Sequence, residues 1–207
     1  MARRSSPQVN AGSMADIAFL LLIFFLVTTT IETDSGINRK LPPMDELIDP
    51  PIIKERNIFT VVVNKYDQLL VEEKPMEISE IRQAAIEFLD NGAGIGEDEC
   101  SYCKGNRNSD SSDNPEKAVI SLKNDRETSY KVYIAVQNEL VAAYNQLRDR
   151  EFRILYPNLG LSFVEANKRY SDPRTSPSEK ENLKPKLSVV KLMYPQKLSE
   201  AEPSKTN

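Results

Sequence analysis

The longest apolar run of the chain lies close to its N-terminus. Residues 14–31 read MADIAFLLLIFFLVTTTI, and Asp16 carries the only charged side chain among them. Together with the small or uncharged residues 10–13, the run gives roughly 20 residues of helix, about 30 Å, which matches the hydrocarbon core of a bilayer. We therefore predict a transmembrane helix over residues 10–31.

The charges on either side of this run predict its orientation. Arg3 and Arg4 precede it without any acidic residue, whereas Glu32 and Asp34 follow it. Because positive residues favour the cytoplasmic side, we expect residues 1–9 in the cytoplasm and the rest of the chain across the membrane. A cleaved signal peptide is the alternative, but the run contains a carboxylate, is long for such a segment and ends without a small-residue cleavage site.

Asp16 requires a physical reason for its position within the predicted span. A carboxylate in hydrocarbon costs roughly 2.5–3.5 kcal/mol on insertion scales, which disfavours chance placement. If Asp16 lay among the lipid headgroups instead, the span would begin at Ile17 and would be short for a bilayer crossing. The functional interpretation is that Asp16 faces a partner or a water path. Small residues that would let other helices approach surround it: Ala11, Gly12, Ser13, Ala15 and Ala18.

Beyond the span, the apolar pattern predicts a small α+β domain over residues 57–200, with a tail at 201–207. Residues 32–56 contain four prolines and little periodicity, which is typical of an extended linker. Strands are predicted at 58–63, 68–72, 118–122 and 187–192, the last prolonged by Leu198, and helices at 78–89 and 129–152. The order β-β-α-β-α-β predicts a sheet with the helices on one face.

Two polar insertions interrupt this pattern. Residues 92–114 are rich in Gly, Asn, Asp and Ser, which predicts a surface loop. Residues 155–185 are polar and punctuated by prolines. Within them we predict one short helix at 178–183, because Ser178 and Glu181 have the spacing of a capping box.

Cys100 and Cys103 form a Cys-x-x-Cys sequence in the first insertion. They could supply only two of the four ligands of a zinc site, and the chain has no histidine to complete it. The strand-to-helix setting of thioredoxin-like redox motifs is also missing. An oxidising compartment favours a local disulfide, with two free thiols as the alternative.

Composition argues against several classes of function. The chain has 27 basic and 31 acidic residues, and this mildly acidic balance argues against nucleic-acid binding. The absence of histidine removes the commonest general base and the Ser-His-Asp mechanism. No Gly-x-Ser-x-Gly sequence or glycine-rich phosphate loop is present either. We therefore predict a protein that is not an enzyme and uses no cofactor or metal.

The chain resembles the ExbD/TolR family, with a long insertion that contains the two cysteines. One part of the resemblance is the Asp-bearing span followed by Val27-Thr28, with Leu41-Pro42 after it. The other part consists of three segments: 61–75 (VVVNKYDQLLVEEKP), 118–130 (AVISLKNDRETSY) and 194–203 (YPQKLSEAEP).

This resemblance implies an inner-membrane subunit of a complex of the ExbB-ExbD-TonB type, driven by the proton motive force and powering transport across the outer membrane. A homodimer of the single helices would be surrounded by an ExbB/TolQ-like multi-span protein, and motion would pass to a TonB-like or TolA-like transducer. Asp16 matches the proton-carrying aspartate of the family. A TolR-like subunit for envelope maintenance, or a non-catalytic periplasmic anchor that binds peptidoglycan, is the alternative.

Overall fold

The computed structural model describes residues 11–28 and 53–201 and divides the chain into two units, Met1–Asp49 and Pro50–Asn207. In the first unit, helix α1 comprises Ala11–Thr28, so the ends of the predicted span 10–31 lie outside the described residues. The predicted N-terminus (1–9), nearly all of the predicted linker and the tail after residue 201 lie outside them too. Over the described ranges, no helix is both long and apolar enough to qualify as a membrane crossing.

The second unit is built on a five-stranded mixed sheet. Its strands are β1 (Ile58–Val63), β2 (Leu69–Val71), β3 (Lys74–Pro75), β4 (Val119–Asn124) and β5 (Leu198–Ala201). Their spatial order is β3-β2-β1-β4-β5. The hairpin strands β1, β2 and β3 pair antiparallel, whereas β4 runs parallel to both β1 and β5.

Among residues 53–201, four α-helices accompany this sheet: α2 (Ile78–Leu89), α3 (Tyr130–Leu155), α4 (Phe163–Ser171) and α5 (Pro177–Met193). Serine side chains cap three of them by accepting a hydrogen bond from a backbone N–H of the first turn. The capping residues are Ser129 for α3, Ser162 for α4 and Ser176 for α5.

One face of the sheet carries the main hydrophobic core. Along β1, Phe59, Val61 and Val63 are buried while the residues between them are only half-buried, which is the alternation expected of a strand covered on one side. Helices α2 and α3 provide the other half of this core. Their buried residues are Ile81, Ala85, Phe88 and Leu89 from α2, and Val136, Leu140, Ala143, Tyr144 and Leu147 from α3.

A second, smaller core lies among the C-terminal half of α3, helix α4 and helix α5. It consists of Phe152, Phe163, Ala166, Leu183, Leu187 and Val190. The spacing of the three α5 residues places them on one face of a helix. Residues 155–185 therefore form a packed helical extension and not only the polar insertion that the sequence suggested.

Most of the predicted elements are confirmed. Helix α2 has the predicted bounds, and helix α3 corresponds to the helix predicted at 129–152. The strands predicted at 58–63, 68–72 and 118–122 correspond to β1, β2 and β4. The α+β class is also confirmed, with a mixed sheet. The predicted order β-β-α-β-α-β is incomplete because it lacks β3, α4 and α5.

Two predictions about the C-terminal region are wrong. Residues 187–192 are not a strand, because they belong to α5 and bury Leu187 and Val190 in the second core. The helix predicted at 178–183 extends over Pro177–Met193, and its N-cap is Ser176, whose side chain accepts from Glu179 N–H, and not Ser178. The last strand of the sheet is β5, which includes Leu198.

The turn between β2 and β3 contains two residues in the left-handed conformation, and a single substitution there should stabilise the domain. Glu72 and Glu73 connect the paired residues Val71 and Lys74, and their φ angles are 47° and 63°. A left-handed conformation costs a non-glycine residue about 1–2 kcal/mol. Two-residue hairpin turns in which both residues have a positive φ favour glycine at the second position. We expect Glu73→Gly to raise the free energy of unfolding by about 1 kcal/mol, measured by urea denaturation.

Glu73→Ala is the control for this substitution, since it removes the carboxylate but keeps Cβ and the conformational cost. We expect Glu73→Ala to change the free energy of unfolding by less than about 0.5 kcal/mol. Glu72 is left unchanged because its carboxylate accepts a hydrogen bond from Thr60 N–H. A destabilised Glu73→Gly protein would contradict the assigned turn conformation.

Candidate functional site: the α1 aspartate and the polar contacts of the folded domain

Asp16 is the only charged residue of α1, which otherwise consists of apolar and small uncharged residues. Gly12 precedes it by four residues and Leu20 follows it by four, so these three share a face of the helix. Ala15 lies about 100° around the helix from Asp16, and Ala18 lies about 160° away, near the side opposite the carboxylate. Both alanines are exposed together with Gly12 and Asp16. The side chains of Ala11 and Ser13 lie outside the described set.

The arrangement along α1 leaves room for a partner beside the carboxylate. Gly12 has no side chain, so another backbone or a polar group could approach Asp16 from the turn that precedes it. Leu20, on the same face, would keep the helical turn that follows Asp16 apolar. The role of Asp16 as a proton carrier stays a prediction at this point.

In the folded domain, the first insertion is ordered by the side chain of Asn91. Its Nδ2 donates to the carbonyl oxygens of Asn108 and Ser112, each at 2.9 Å, and its Oδ1 accepts from Asn108 N–H at 2.9 Å. Ser112 Oγ donates in turn to the Phe88 carbonyl at the end of α2. The loop is therefore fastened to the C-terminal end of α2.

Asp113 fastens the far end of the same loop to the start of β1. Its side chain is fully buried, accepts from Asn57 Nδ2 at 3.0 Å and forms ion pairs with Arg56 and Lys54. Asn57 Oδ1 accepts from the Asp113 N–H at 2.7 Å. Burial by itself would raise the pKa of Asp113, but the Asn57 hydrogen bond and the two cations together hold this pKa below its usual value.

The two cysteines of the loop are joined by a disulfide, with their Cα atoms 5.5 Å apart. Gly92 lies against this bridge at a φ of +66°, and a Cβ added there would be 2.6 Å from the Cβ of Cys103. A side chain at position 92 would therefore be strained in conformation and would also push the bridge away from the end of α2.

A buried polar cluster lies beside the disulfide loop. Arg150 of α3 donates through Nη1 and Nη2 to the two carboxylate oxygens of Asp90, at 2.6 and 2.8 Å. Tyr194 Oη donates to Asp90 Oδ1 at 2.6 Å and accepts from Arg150 Nη2 at 2.9 Å. Arg150 Nε also donates to Glu151 at 2.8 Å. We call Asp90, Arg150 and Tyr194 the α2–α3–α5 cluster, because it joins the ends of these helices.

The electrostatics of this cluster suit a structural role. The hydrogen bond to Asp90 raises the pKa of Arg150, and burial followed by the Asp90 contact raises the pKa of Tyr194. Arg150 therefore stays charged and Tyr194 stays protonated at neutral pH. Neither group is suited to exchange protons there, so the cluster holds chain segments together.

An open cleft of about 380 Å³ lies between the β2–β3 hairpin, α2 and the first insertion. Its floor includes Phe59 and Phe88, and its rim combines Arg56 and Lys74 with Glu87 and Asp110. Across residues 11–28 and 53–201, no three His, Cys, Asp or Glu side chains are grouped so as to hold a metal ion. The cleft therefore offers mixed charges above an apolar floor, without a set of metal ligands.

Sequence reasoning did not find the α2–α3–α5 cluster. Asp90 follows the last residue of α2 and Arg150 lies in the long α3, and 60 residues separate the two. Only the position of Asp90, at the end of a predicted amphipathic helix, was visible as a local signal. The pairing itself depends on the packing of α2 against α3.

An apolar helix with a single carboxylate, joined in the chain to a small mixed-sheet α+β domain, is the arrangement expected of an ExbD/TolR-type subunit. The family described as Biopolymer transport protein ExbD/TolR matches residues 2–148, and the chain belongs to this family. The predicted resemblance is thereby confirmed. The matched range ends within α3, so helices α4 and α5 and strand β5 lie beyond it.

The chain is also similar to Biopolymer transport protein exbD2 of Vibrio cholerae serotype O1. The two are 26% identical over 88 residues, which is 42% of this chain and 62% of the relative. The chain thus spans less than two thirds of the length of that relative.

Proposed function

We propose that this chain is the single-span inner-membrane subunit of a complex that uses the proton motive force to power transport across the outer membrane. Residues 10–31 would cross the membrane, with the N-terminus in the cytoplasm and the α+β domain in the periplasm. The observation that carries the proposal is the lone carboxylate of Asp16 in the apolar helix α1 of an ExbD/TolR family member. Helix α1 supplies 18 residues of this span, about 27 Å.

Asp16 would carry the proton by changing its charge. When protonated, its carboxyl group is neutral and can face an apolar surface of a partner at modest cost; when ionised, it must face water or a polar group. A helix that alternates between these two surroundings converts proton transfer into motion. The membrane potential supplies about 2.3 kcal/mol per charge for each 100 mV.

One helix cannot form a channel by itself, so the proposal requires partners. We propose an ExbB/TolQ-like multi-span protein around a homodimer of this chain, and a TonB-like or TolA-like transducer that receives the motion. The exposed small residues Gly12, Ala15 and Ala18 support the first of these contacts, because they would let helices of the partner approach α1 closely.

Both ExbD-type and TolR-type proteins fall within the family that the chain belongs to. The similarity to a relative named exbD2 favours the ExbD-type assignment, and we therefore propose transport in preference to envelope maintenance. A non-catalytic anchor would need neither a carboxylate within the span nor a multi-span partner. The presence of such a partner consequently distinguishes the proposed function from an anchor.

Purification of the full chain from its native membranes in a mild detergent tests this proposal. We expect a multi-span protein to co-purify in molar excess over the chain. Gly12→Leu should reduce its yield several-fold, because the larger side chain separates the packed helices. Leu21→Ile is the matched control, since Leu21 lies nine residues later and therefore on the opposite side of α1. Recovery of the wild-type chain without any multi-span protein would refute the proposal.

A further inference from the structure

The two cysteines of the disulfide differ in their surroundings. Cys100 is 3% exposed, whereas Cys103 is only half-buried. The backbone N–H of Cys103 donates to Cys100 Sγ at 3.1 Å. The hydrogen bond would stabilise a negative charge that forms on the sulfur of Cys100, and Cys103 is the more exposed of the two residues.

Tyr102, between the two cysteines, connects the disulfide loop to the C-terminal part of the domain. Its hydroxyl donates to the Met193 carbonyl at 2.8 Å, and its ring packs edge-on against Tyr194 with the ring centroids 5.4 Å apart. Met193 is the last residue of α5, and the chain enters strand β5 at Leu198. The four-residue disulfide turn is thus attached directly to the segment that leads into β5.

Attachments on the other side fix the same turn to the end of α2. Gly105 N–H donates to the Asp90 carbonyl at 2.9 Å, and Gly92 packs against the bridge. Asp90 in turn accepts from Tyr194. Because the turn contacts both α2 and the residues before β5, its rigidity affects how firmly the C-terminal segment is held.

We propose that the Cys100–Cys103 disulfide is a site of thiol–disulfide exchange with a dithiol reductant, and that its opening loosens residues 193–201. In the first step, a thiolate of the dithiol attacks Sγ of Cys103. The Cys100–Cys103 bond breaks, and Cys100 leaves as a thiolate with the electron pair and then takes a proton from water. The second thiol of the dithiol attacks the mixed disulfide and releases Cys103. The protein gains two electrons and two protons, and the dithiol becomes a disulfide.

The effect on residues 193–201 follows from opening the covalent loop that the Cys100–Cys103 disulfide closes. The closed bridge restricts the backbone of Ser101 and Tyr102, so the Tyr102 side chain is held in place for its contacts with Met193 and Tyr194. After reduction, this turn regains conformational freedom, and keeping those contacts costs more entropy. Strand β5, at the edge of the sheet, pairs only with β4 among the described strands and is therefore the element most sensitive to this loss.

The direction of attack is tested on the oxidised full chain in detergent with the monothiol glutathione, which forms a mixed disulfide with the sulfur that it attacks. The reaction is stopped with acid, the cysteine released is blocked with iodoacetamide, and mass spectrometry of peptides locates the glutathione. We expect at least about ten times more glutathione on Cys103 than on Cys100. Equal amounts, or more on Cys100, would overturn the assignment of Cys103 as the attacked sulfur.

The consequence is tested by hydrogen exchange of the oxidised full chain before and after treatment with dithiothreitol. Amides of residues 193–201 should exchange about tenfold faster after reduction, while those of β1 and α3 stay unchanged. The Cys100→Ser/Cys103→Ser double variant should show the same pattern without the reagent. Tyr102→Phe keeps the ring but loses the hydrogen bond to Met193, and it should show part of the effect in the oxidised form.

Unchanged exchange after reduction would overturn the proposal, because the bridge would then not control the C-terminal segment. A uniform increase throughout the domain would overturn it as well, since the disulfide would then support the whole fold. Neither measurement depends on Asp16 or on a membrane partner. Failure of this inference is therefore distinguishable from failure of the proposed function.

Discussion

Asp16→Asn is expected to reduce energy-dependent transport to the level of cells that lack the chain, while the protein still inserts into the membrane. Asparagine has nearly the size of aspartate and remains polar, but it cannot release or accept a proton. The substitution therefore removes the change of charge on which the proposed mechanism depends, and leaves the packing of Gly12, Ala15 and Ala18 intact. Transport in a deletion strain that carries the variant, together with its amount in the membrane fraction, provides the measurement.

Asp16→Glu is the informative control for this experiment. It retains a carboxyl group but moves it outward by one methylene, so we expect partial activity, between the wild type and Asp16→Asn. Co-purification of the multi-span partner should be unchanged in both variants. Full transport with Asp16→Asn would exclude a proton-carrying role for Asp16, whatever other role the span has.

The elements predicted correctly from the sequence are those that a local pattern determines. Val61 and Val63 alternate with half-buried residues along β1, and Val136 and Leu140 lie one turn apart in α3, so burial on one side is visible in the spacing alone. These elements enclose the main core. The signals are reliable here because each element has one buried and one accessible face.

The error at residues 187–192 has a different origin. The adjacent Val189 and Val190 favour a strand by their β-branched side chains, and Pro185 argues against a helix that continues through it. The helix forms nevertheless, because Leu183, Leu187 and Val190 bury one face against α4 and the end of α3. Tertiary packing thus outweighs local propensity in α5.

The α2–α3–α5 cluster could not be predicted from local patterns at all. The hydrogen bond between Tyr194 and Asp90 joins residues that are 104 positions apart. Nothing at either position signals the other, since a tyrosine before a proline and an aspartate after a helix are both common on protein surfaces. Their contact arises because α5 brings Tyr194 back toward the end of α2.

Arg150→Ala is expected to destabilise the folded domain by about 3–5 kcal/mol, the range typical of breaking a buried ion pair by removing one partner. The Asp90 side chain is 7% exposed, and Arg150 neutralises it through two hydrogen bonds. Without the guanidinium group, the carboxylate would remain buried with only the Tyr194 hydroxyl as a described side-chain donor. Urea denaturation of the full chain in detergent, followed by tyrosine fluorescence, measures the loss.

Arg153→Ala provides the matched control on the same helix. Arg153 is paired with Asp149, but its side chain is 64% exposed, and exposed pairs of this kind contribute about 0.2–1 kcal/mol. The two variants remove the same residue type three positions apart, so the helix propensity of alanine affects both equally. The difference between them therefore measures the buried contacts of Arg150, chiefly those with the carboxylates of Asp90 and Glu151.

The double variant Asp90→Asn/Arg150→Met distinguishes the loss of a favourable pair from the isolation of a charge. Removing both charges leaves no uncompensated carboxylate at position 90, and methionine still fills part of the space of the arginine side chain. Glu151 loses its contact with Arg150 in this variant and in Arg150→Ala alike, so it does not affect the comparison. We expect this variant to be more stable than Arg150→Ala by about 1–3 kcal/mol, although it changes two residues. If Arg150→Ala costs no more than Arg153→Ala, or if the double variant is the less stable of the two, then Asp90 does not depend on Arg150. The attachment of α5 and β5 to the domain would then come from other contacts: the pairing of β5 with β4, the hydrogen bonds from Arg148 to the Tyr194 carbonyl, the hydrophobic cores and the disulfide loop.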